Sequence, residues 1–152
     1  MELQQLISRY QLAINTIYRG INNILKEEIQ HDITPDQFIV LQHIHQKKTC
    51  TSTQIAKHFS VGKSAVTALV TRLFDKGFIE RIRDKEDRRI VYLTLTEAGT
   101  ELVEQTEKEL YQVIREKLGH FNNSEIEGYI KALEKLASLM SNNKEHSPKN
   151  KP

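Results

Sequence analysis

The sequence predicts an α+β fold that is mainly α-helical and carries one small antiparallel β-hairpin. Two observations indicate helices: apolar residues recur at steps of three and four residues, and capping signals precede several of these segments. A third observation indicates the hairpin, because residues 78–95 change to an alternation of apolar and polar side chains. The 152 residues suit one domain, or a compact lobe with a dimerising extension, since domains usually hold about 100–200 residues.

The composition favours a cytoplasmic protein. The chain has no run of about 18 apolar residues, which a membrane-spanning helix would need. Residues 1–5 are not a basic region followed by an apolar stretch, so a signal peptide is not expected. The single cysteine, Cys50, cannot form an internal disulfide, which fits a reducing compartment.

The first predicted helix covers residues 3 to 24, where apolar side chains follow one another at steps of four and three residues. They form a seam along one face of a long helix. Such a seam packs either inside the subunit or against a second copy of the chain, and this segment alone favours neither. The seam consists of Leu3, Ile7, Tyr10, Ile14, Ile17, Ile21 and Ile24.

A second helix is predicted to begin at about residue 35. Thr34 and Gln37 have the spacing of a capping box, in which each side chain bonds the other residue's backbone amide. Pro35 suits the first helical position, where its missing N–H costs nothing. The buried face of this helix is expected to hold Phe38, Leu41 and Ile44.

Thr51 and Gln54 repeat the capping box and predict a third helix. Its inward residues are Ile55, Ala56 and Phe59. Cys50 precedes the cap, where an apolar side chain can pack against Ile55 as a hydrophobic staple.

Only residues 60–62 separate the third helix from a fourth, which is predicted to run from Lys63 to about Lys76. Two short helices joined by a three-residue turn that contains a glycine have the layout of a helix-turn-helix. The inner stripe of the fourth helix consists of Val66, Leu69, Val70 and Leu73. Its outward face is small or polar, which lets a helix lie closely in a groove, and consists of Lys63, Ser64, Thr67, Ala68 and Thr71.

Gly77 stands where a helix C-terminus favours a left-handed residue. After it, "FIERIR" (78–83) and "IVYLTL" (90–95) predict two strands, joined by the charged loop "DKEDRR". A helix-turn-helix followed by a basic hairpin is a winged helix.

Two further helices are predicted after the hairpin. Thr96 caps the first, which ends at Gly119, and Asn122 with Glu125 makes a capping box for the second. Residues 142–152 hold no apolar residue and are expected to be a disordered tail. The apolar faces consist of Leu102, Thr106, Leu110, Val113 and Ile114 in the first helix, and of Ile126, Tyr129, Ile130, Leu133, Leu136 and Met140 in the second.

Charge is distributed unevenly, although the net charge is only +2. Residues 57–92 hold nine Lys/Arg and five Asp/Glu, a net of +4, whereas residues 93–143 hold five and nine, a net of −4. A basic middle segment indicates a surface that faces a polyanion, although a charge cluster is more often a solvated face.

Gly62-Lys63-Ser64 resembles the end of a phosphate-binding P-loop. That loop needs a first glycine five residues before Gly62, after a strand, so that backbone N–H groups surround the phosphates. Here that position is Lys57, inside a predicted helix. A nucleotide hydrolase, and an enzyme in general, is therefore not expected.

The same residues suit DNA recognition. Gly62 is an acceptable helix N-cap, and Lys63 can reach a backbone phosphate from the helix N-terminus. Ser64 and Thr67 can bond base edges or phosphates in a major groove. The wing provides a second contact, because Arg88 and Arg89 can enter a minor groove with a strong negative potential.

The sequence resembles the MarR family of winged-helix transcriptional regulators from about Thr34 to Gly99, and more loosely in both flanking regions. The final matching stretch is the most diagnostic, since Asp-Arg-Arg, alternating apolar residues and Leu-Thr-x-x-Gly are hard to produce by chance. Ser60 replaces a frequent turn glycine of the family, and Gly62 a frequent capping serine. The matching stretches are "ITPDQFIVL", "TSTQIAKHF", "GKSAVTALVTRLFDKGFIER" and "DRRIVYLTLTEAG".

The resemblance implies a homodimer, with residues 1–32 and 97–141 as its helical dimerisation region and residues 34–96 as the DNA-binding lobe. Two lobes would occupy successive major grooves of a pseudo-palindrome, with half-sites about one helical turn apart. The resemblance also implies that Asp87 orients Arg89 at the wing tip. The expected DNA-binding residues are Lys63, Ser64, Thr67, Ala68, Arg72, Arg83, Arg88 and Arg89.

The functional hypothesis is a homodimeric, sequence-specific regulator that binds double-stranded DNA, namely a repressor released by a small ligand or a modification. The alternative is a winged-helix protein-interaction module without sequence-specific DNA binding. No cofactor, metal ion or membrane partner is expected.

Several reactive or aromatic residues have structural interpretations. His43 and His45 point to different helix faces, which disfavours joint metal binding, and His31 is expected to be a surface residue. Cys50 as a redox sensor would need exposure and a low pKa. Ser64 and Thr67 have no orienting acid that would make them nucleophiles with His58. Tyr10 and Tyr18 could line a ligand pocket, but core packing is the more common role.

Overall fold

The computed structural model describes residues 2–28 and 32–142, and it has the predicted mainly helical fold with one small hairpin. The described residues divide into two compact units, one ending at Tyr111 and the other beginning at Gln112. Within the described ranges, none of the helices has the length and apolar character needed to cross a membrane. The elements are α1 (Leu3–Asn23), a π-helical turn (Ile24–Glu28), α2 (Pro35–Lys47), α3 (Ser52–Phe59), α4 (Lys63–Asp75), β1 (Ile79–Arg83), β2 (Val91–Leu95), α5 (Glu97–Leu118) and α6 (Asn123–Asn142).

The predicted capping residues start α2, α3, α5 and α6. In the first box Thr34 Oγ1 accepts from the amide of Gln37 at 3.2 Å, and Gln37 Oε1 accepts from the amide of Thr34 at 3.1 Å. Thr96 caps α5 by accepting from the amide of Gly99 at 3.0 Å. The boxes of Thr51 with Gln54 and of Asn122 with Glu125 are also formed. These bonds satisfy amides that a helix start would otherwise leave unpaired.

One hydrophobic core joins α2, α3, α4, the hairpin and the start of α5. Its largest fully buried side chains include Leu41, Ile44, Ile55 and Leu73. Ile79 and Leu93 anchor the two strands, and Val103 anchors α5. Because α4 buries Val66, Val70 and Leu73 as predicted, its opposite face is exposed.

Gly77 follows the C-cap of α4, and its φ of +78° lies in the left-handed region as predicted. The amide of Phe78 donates to the carbonyl of Leu73 at 3.0 Å, and the amide of Gly77 donates to Phe74 at 2.9 Å. These two bonds form a Schellman motif, which fixes the direction in which the chain leaves the helix.

The hairpin is slightly shorter than predicted, because β1 begins at Ile79 rather than at residue 78 and β2 at Val91 rather than at residue 90. Ile79 pairs with Leu95, and Arg83 pairs with Val91. Ile90 instead lies in the loop, where its amide donates to the carbonyl of Asp87 at 3.0 Å.

A backbone bridge that the sequence did not reveal attaches the hairpin to Cys50, the residue before the N-cap of α3. The amide of Cys50 donates to the carbonyl of Leu93 at 3.1 Å, and the amide of Leu93 donates to the carbonyl of Cys50 at 2.7 Å. Cys50 is only 3% exposed. Burial raises the pKa of its thiol, so the reactive thiolate is disfavoured and the residue acts in packing.

The seam predicted along α1 divides into two parts. Near its end, Ile21 and Ile24 pack with Leu25 and Phe38 in a second small cluster. The π-helical turn at Ile24–Glu28, which the sequence did not indicate, follows α1. Earlier in the helix, the seam residues Leu3, Ile7, Tyr10 and Ile17 are exposed.

The tyrosines of α1 and the end of α6 differ from expectation. Tyr10 and Tyr18 were expected in the core, but both are exposed, since α1 buries none of its residues in the protomer. Asn142, the first residue of the predicted disordered tail, lies in α6. The rest of that tail and His31 lie outside the described residues.

Candidate nucleic-acid interface

The outward face of α4 presents the predicted recognition residues. Lys63, Ser64, Thr67, Ala68 and Arg72 are all exposed. Gly62, the N-cap, has extended backbone angles and provides no side-chain cap. The first-turn amides of α4 can therefore donate to an anion, such as a backbone phosphate, approaching the helix start.

Ser60 supports the turn before α4. It takes the left-handed conformation, with φ +55° and ψ +42°, at the C-cap of α3. The amide of Val61 then donates to the carbonyl of Ala56 at 3.1 Å. The turn therefore has the geometry that a glycine usually provides.

The hydroxyl of Thr67 is directed by its own helix. Thr67 Oγ1 donates to the carbonyl of Lys63 at 2.9 Å. Since a hydroxyl has one donor and two acceptor lone pairs, Thr67 is left to accept from an incoming N–H group. Such donors in a major groove are the exocyclic amino groups of cytosine and adenine.

At the wing tip, Asp87 holds Arg89 in place. Arg89 Nε donates to Asp87 Oδ1 at 3.0 Å, and Arg89 Nη2 donates to Oδ2 at 3.0 Å. The Arg89 side chain nevertheless remains 92% exposed. These bonds lower the pKa of Asp87 and raise the pKa of Arg89, so both groups are charged at neutral pH. The two-point contact fixes the plane of the guanidinium without burying it.

The side chain of Arg83, the last residue of β1, bonds to the backbone of the wing loop. Its Nη1 atom donates to the carbonyl of Arg88 at 3.2 Å, which ties the start of the wing loop to its end. Part of the donor capacity of Arg83 is therefore used within the wing. Arg88 is exposed.

Asp84 shapes the wing loop, and the sequence analysis did not assign it this role. Asp84 Oδ1 accepts from the amide of Glu86 at 2.9 Å and from that of Asp87 at 3.1 Å. These two backbone bonds are the main reason why the pKa of Asp84 is lowered. An aspartate at the first position of a polar loop is the signal that could have indicated this turn.

The predicted site residues therefore form two groups. One group lies along α4 and the other lies on the wing, and both elements belong to the same core. The structure brings Asp87 and Arg89, and also Arg83 and Arg88, into direct contact. The α4 residues Lys63 and Thr67 are likewise linked.

Comparison with known proteins identifies the family. The MarR family model matches residues 33–91. The uncharacterized HTH-type transcriptional regulator YwhA of Bacillus subtilis (strain 168) is 30% identical over 130 residues, which cover 86% of this chain and 85% of that protein. The chain belongs to the MarR family.

Two further comparisons concern a repressor and a solved structure. The HTH-type transcriptional repressor MdtR of Bacillus subtilis (strain 168) is 32% identical over 96 residues, 62% of each chain. A mutant of MarR from E. coli, solved in complex with operator DNA, has a TM-score of 0.74 and 28% identity, and the match covers 90% of this chain and 99% of that one.

As a MarR-family member the protein is a transcriptional regulator and not an enzyme. The geometry around the Gly-Lys-Ser tripeptide agrees, because Lys57 lies within α3 and Gly62 begins a helix. A P-loop needs a strand before its glycines.

A histidine pair connects α2 to the first helix of the helix-turn-helix in this MarR-family protein. The buried ring of His43 in α2 stacks on that of His58 in α3, with centroids 4.1 Å apart. His45 Nε2 instead lies 3.9 Å from Glu104 Oε1. Among the described residues no group of three or more potential metal ligands occurs.

The stability of the lobe is expected to fall in mild acid because of His43. Its pKa is lowered by burial and by the positive charges of His58 and Lys47. The unfolded chain takes up a proton near the ordinary value of about 6.5, whereas the folded lobe resists protonation. Stability is therefore retained above that pH and lost as the pH falls below it.

Urea unfolding at about pH 7.5 and about pH 5.5 measures this loss. His43→Gln should reduce the difference between the two pH values. The matched variant His120→Gln changes an exposed histidine and should behave like the wild type. An unchanged pH dependence in His43→Gln would show that the stacked pair does not control acid stability.

Proposed function

We propose that the protein is a homodimeric cytoplasmic repressor that binds a pseudo-palindromic operator in double-stranded DNA. The observation that carries this proposal is the exposed guanidinium of Arg89, which Asp87 holds at the tip of a wing beside an exposed recognition helix. The operator complex of the similar E. coli MarR supports the DNA partner. The name of the similar MdtR supports repression.

Each exposed residue has a proposed role. Lys63 and Arg72 bind backbone phosphates, and Ser64 and Thr67 contact base edges. Ala68 keeps α4 narrow enough to approach the groove floor. On the wing, Arg88 and Arg89 enter the minor groove, while Arg83 mainly supports the loop and directs its remaining N–H groups toward the DNA backbone.

Exposed apolar side chains support dimerisation. In α1 they occur over residues 3–18, and in α6 they occur over residues 129–140. Several large apolar side chains exposed along one helix are typical of an interaction site. We assign residues 1–32 and 97–141 to the dimer and residues 34–96 to the DNA-binding lobe. The exposed residues are Leu3, Leu6, Ile7, Tyr10, Leu12, Ile17 and Tyr18 in α1, and Tyr129, Ile130, Leu136, Leu139 and Met140 in α6.

Regulation would act through the spacing of the two lobes. Two recognition helices must enter two major grooves at the same time, so a dimer tolerates only one half-site separation. A small ligand or a modification that stabilises another spacing lowers operator affinity by its differential free energy, typically about 1–3 kcal/mol.

Selection of bound duplexes from a random pool tests the proposal. We expect an enriched pseudo-palindrome with half-sites about one helical turn apart. The logarithm of its affinity should fall steeply with the logarithm of salt concentration, because each neutralised phosphate releases counterions. A flat salt response without an enriched motif would instead favour the protein-interaction module.

Thr67→Val is expected to change base preference at one position of each half-site. Valine keeps the shape of threonine but lacks its acceptor oxygen, and in the wild type the hydroxyl hydrogen is engaged by Lys63. If Thr67 reads an amino group, discrimination at that base pair should fall by about 1–3 kcal/mol. Competition between single-base operator variants measures this change.

The matched control for this prediction is Thr71→Val, one helical turn further along α4. Thr71 is not assigned to a base, so its variant should keep the wild-type order of operator preferences. Identical preferences in Thr67→Val and the wild type would remove Thr67 from the base-reading set.

A further inference from the structure

Lys76 directly follows α4, the proposed recognition helix, and its side chain contacts residues at the start of α2. Its Nζ atom donates to the carbonyl of Asp32 at 2.6 Å and to Gln37 Oε1 at 3.3 Å. Asp32 Oδ1 lies 3.8 Å from the same nitrogen. Among the described residues, these three oxygens surround an ammonium group that has three donors.

Both ends of this contact are held by other bonds. The backbone of Lys76 is the C-cap of α4, where its amide donates to the carbonyl of Arg72 at 3.0 Å. Gln37 is 3% exposed, and its Oε1 atom also completes the capping box of α2. Lys76 therefore connects the C-terminus of α4 to the N-terminus of α2, and capping bonds hold both of these helix ends.

The start of α2 is in turn attached to the end of α1. Phe38, next to Gln37, packs with Leu25 in the π-helical turn and with Ile21 in α1. A continuous set of contacts thus runs from the C-terminus of the recognition helix, through Lys76 and the α2 cap, to the helix that we assign to the dimer.

We propose that Lys76 is a positioning residue that fixes the orientation of α4 relative to α1 and thereby sets the half-site spacing that the dimer accepts. This inference rests on the proposed function, since spacing matters only for a dimer that reads two half-sites. Lys76 differs from Lys63, because its side chain donates to the carbonyl of Asp32 and to Gln37 Oε1.

The experiment uses the selected operator together with duplexes in which one base pair is inserted or deleted at the centre. Binding is measured by fluorescence anisotropy. The wild type should lose about tenfold or more in affinity on either change, because the recognition helices then miss one groove. Lys76→Met should lose less than about threefold, since a freer α4 can adjust to both spacings.

Two controls separate positioning from charge and from general stability. Lys76→Arg keeps a donor group and should restore the wild-type spacing preference, whereas Lys47→Met removes an exposed lysine at the end of α2 and should not alter that preference. On the unaltered operator, Lys76→Met should keep the wild-type salt slope. Lys63→Met should lower the slope by about one for each phosphate that is no longer neutralised.

The outcomes distinguish the two proposals. If the wild type itself does not discriminate between spacings, paired reading by a dimer is wrong. If the wild type discriminates and Lys76→Met shows the same spacing profile, the positioning role of Lys76 is wrong. Should Lys76→Met fail to fold, Lys76→Gln provides the same test, because its shorter polar side chain also fails to reach the carbonyl of Asp32.

Discussion

Gly99→Ala is expected to lower the free energy of unfolding by about 3 kcal/mol, at the upper end of the usual overpacking penalty. A Cβ atom at this position would lie 2.1 Å from the carbonyl oxygen of Phe78 and 3.0 Å from its carbonyl carbon. That oxygen also accepts from the amide of Thr96 at 3.0 Å. The clash cannot be relieved without moving the start of α5 away from the chain between α4 and β1.

Urea unfolding followed by circular dichroism measures this effect. Gly20→Ala is the matched control, because a Cβ atom added at Gly20 in α1 meets nothing within 4 Å. That variant should gain up to about 1 kcal/mol, since alanine has the higher helix propensity. Equal midpoints for Gly99→Ala and the wild type would contradict the close approach of α5 to Phe78.

Gly99 also explains part of the motif that indicated the family. In Leu-Thr-x-x-Gly, Thr96 caps α5 through the amide of Gly99 and donates its hydroxyl to the carbonyl of Gly77 at 2.6 Å. Both contacts require the α5 start to lie against the backbone that leaves α4. The glycine is therefore needed for the close packing of α5 and not for a left-handed turn.

Arg89→Ala is expected to weaken operator binding by about 10- to 100-fold at about 0.1 M salt, because a dimer would lose two minor-groove arginines. Asp87→Asn should weaken binding less. It keeps an acceptor oxygen but loses the carboxylate that contacts both Nε and Nη2 of Arg89. The asparagine variant would therefore leave the guanidinium present but less well oriented.

Operator titrations of the two single variants and of the double variant form a double-mutant cycle. If Asp87 acts by orienting Arg89, the double variant should bind no more weakly than Arg89→Ala alone. Size-exclusion chromatography should show the same oligomeric state for all variants, since the wing is not assigned to the dimer. Lys47→Ala, which changes an exposed lysine at the end of α2, should bind like the wild type. Wild-type affinity in Arg89→Ala would remove the wing tip from the proposed interface.

Much of the fold was predictable because its signals are local. A capping box needs only residues three apart, and the boxes at Thr34, Thr51 and Asn122 are all formed. Gly77 has the left-handed conformation that its place after a helix indicated. The inner stripe of α4 was also predictable, since a period of 3.6 residues determines which side chains face inward.

Other features depend on contacts between distant parts of the chain. The stack of His43 on His58 and the reach of Lys76 to Asp32 join residues on different elements. Their positions follow from how the helices pack, which no local pattern specifies. The exposure of Tyr10 could not be predicted for a related reason. An apolar seam has the same residue pattern whether it packs against its own subunit or against a second one.

The sequence predicted which residues belong to the candidate site, but it did not predict how their side chains are hydrogen-bonded. Exposure of Lys63, Ser64 and Thr67 follows from helical periodicity. The donor direction of the Thr67 hydroxyl and the support of the wing by Arg83 could not be read from the residue types, because each depends on a specific backbone carbonyl.

The backbone bridge between Cys50 and Leu93 limits how this regulator can respond to a signal. It joins Cys50, the residue before the N-cap of α3, to the middle of β2, so a movement of the wing relative to the helix-turn-helix would have to break these two backbone hydrogen bonds. Each DNA-binding lobe would then rotate as one rigid unit that includes both α4 and the wing. If a ligand or a modification releases the proposed repressor, it would therefore change the angle between two intact lobes, and the major and minor grooves would be released together.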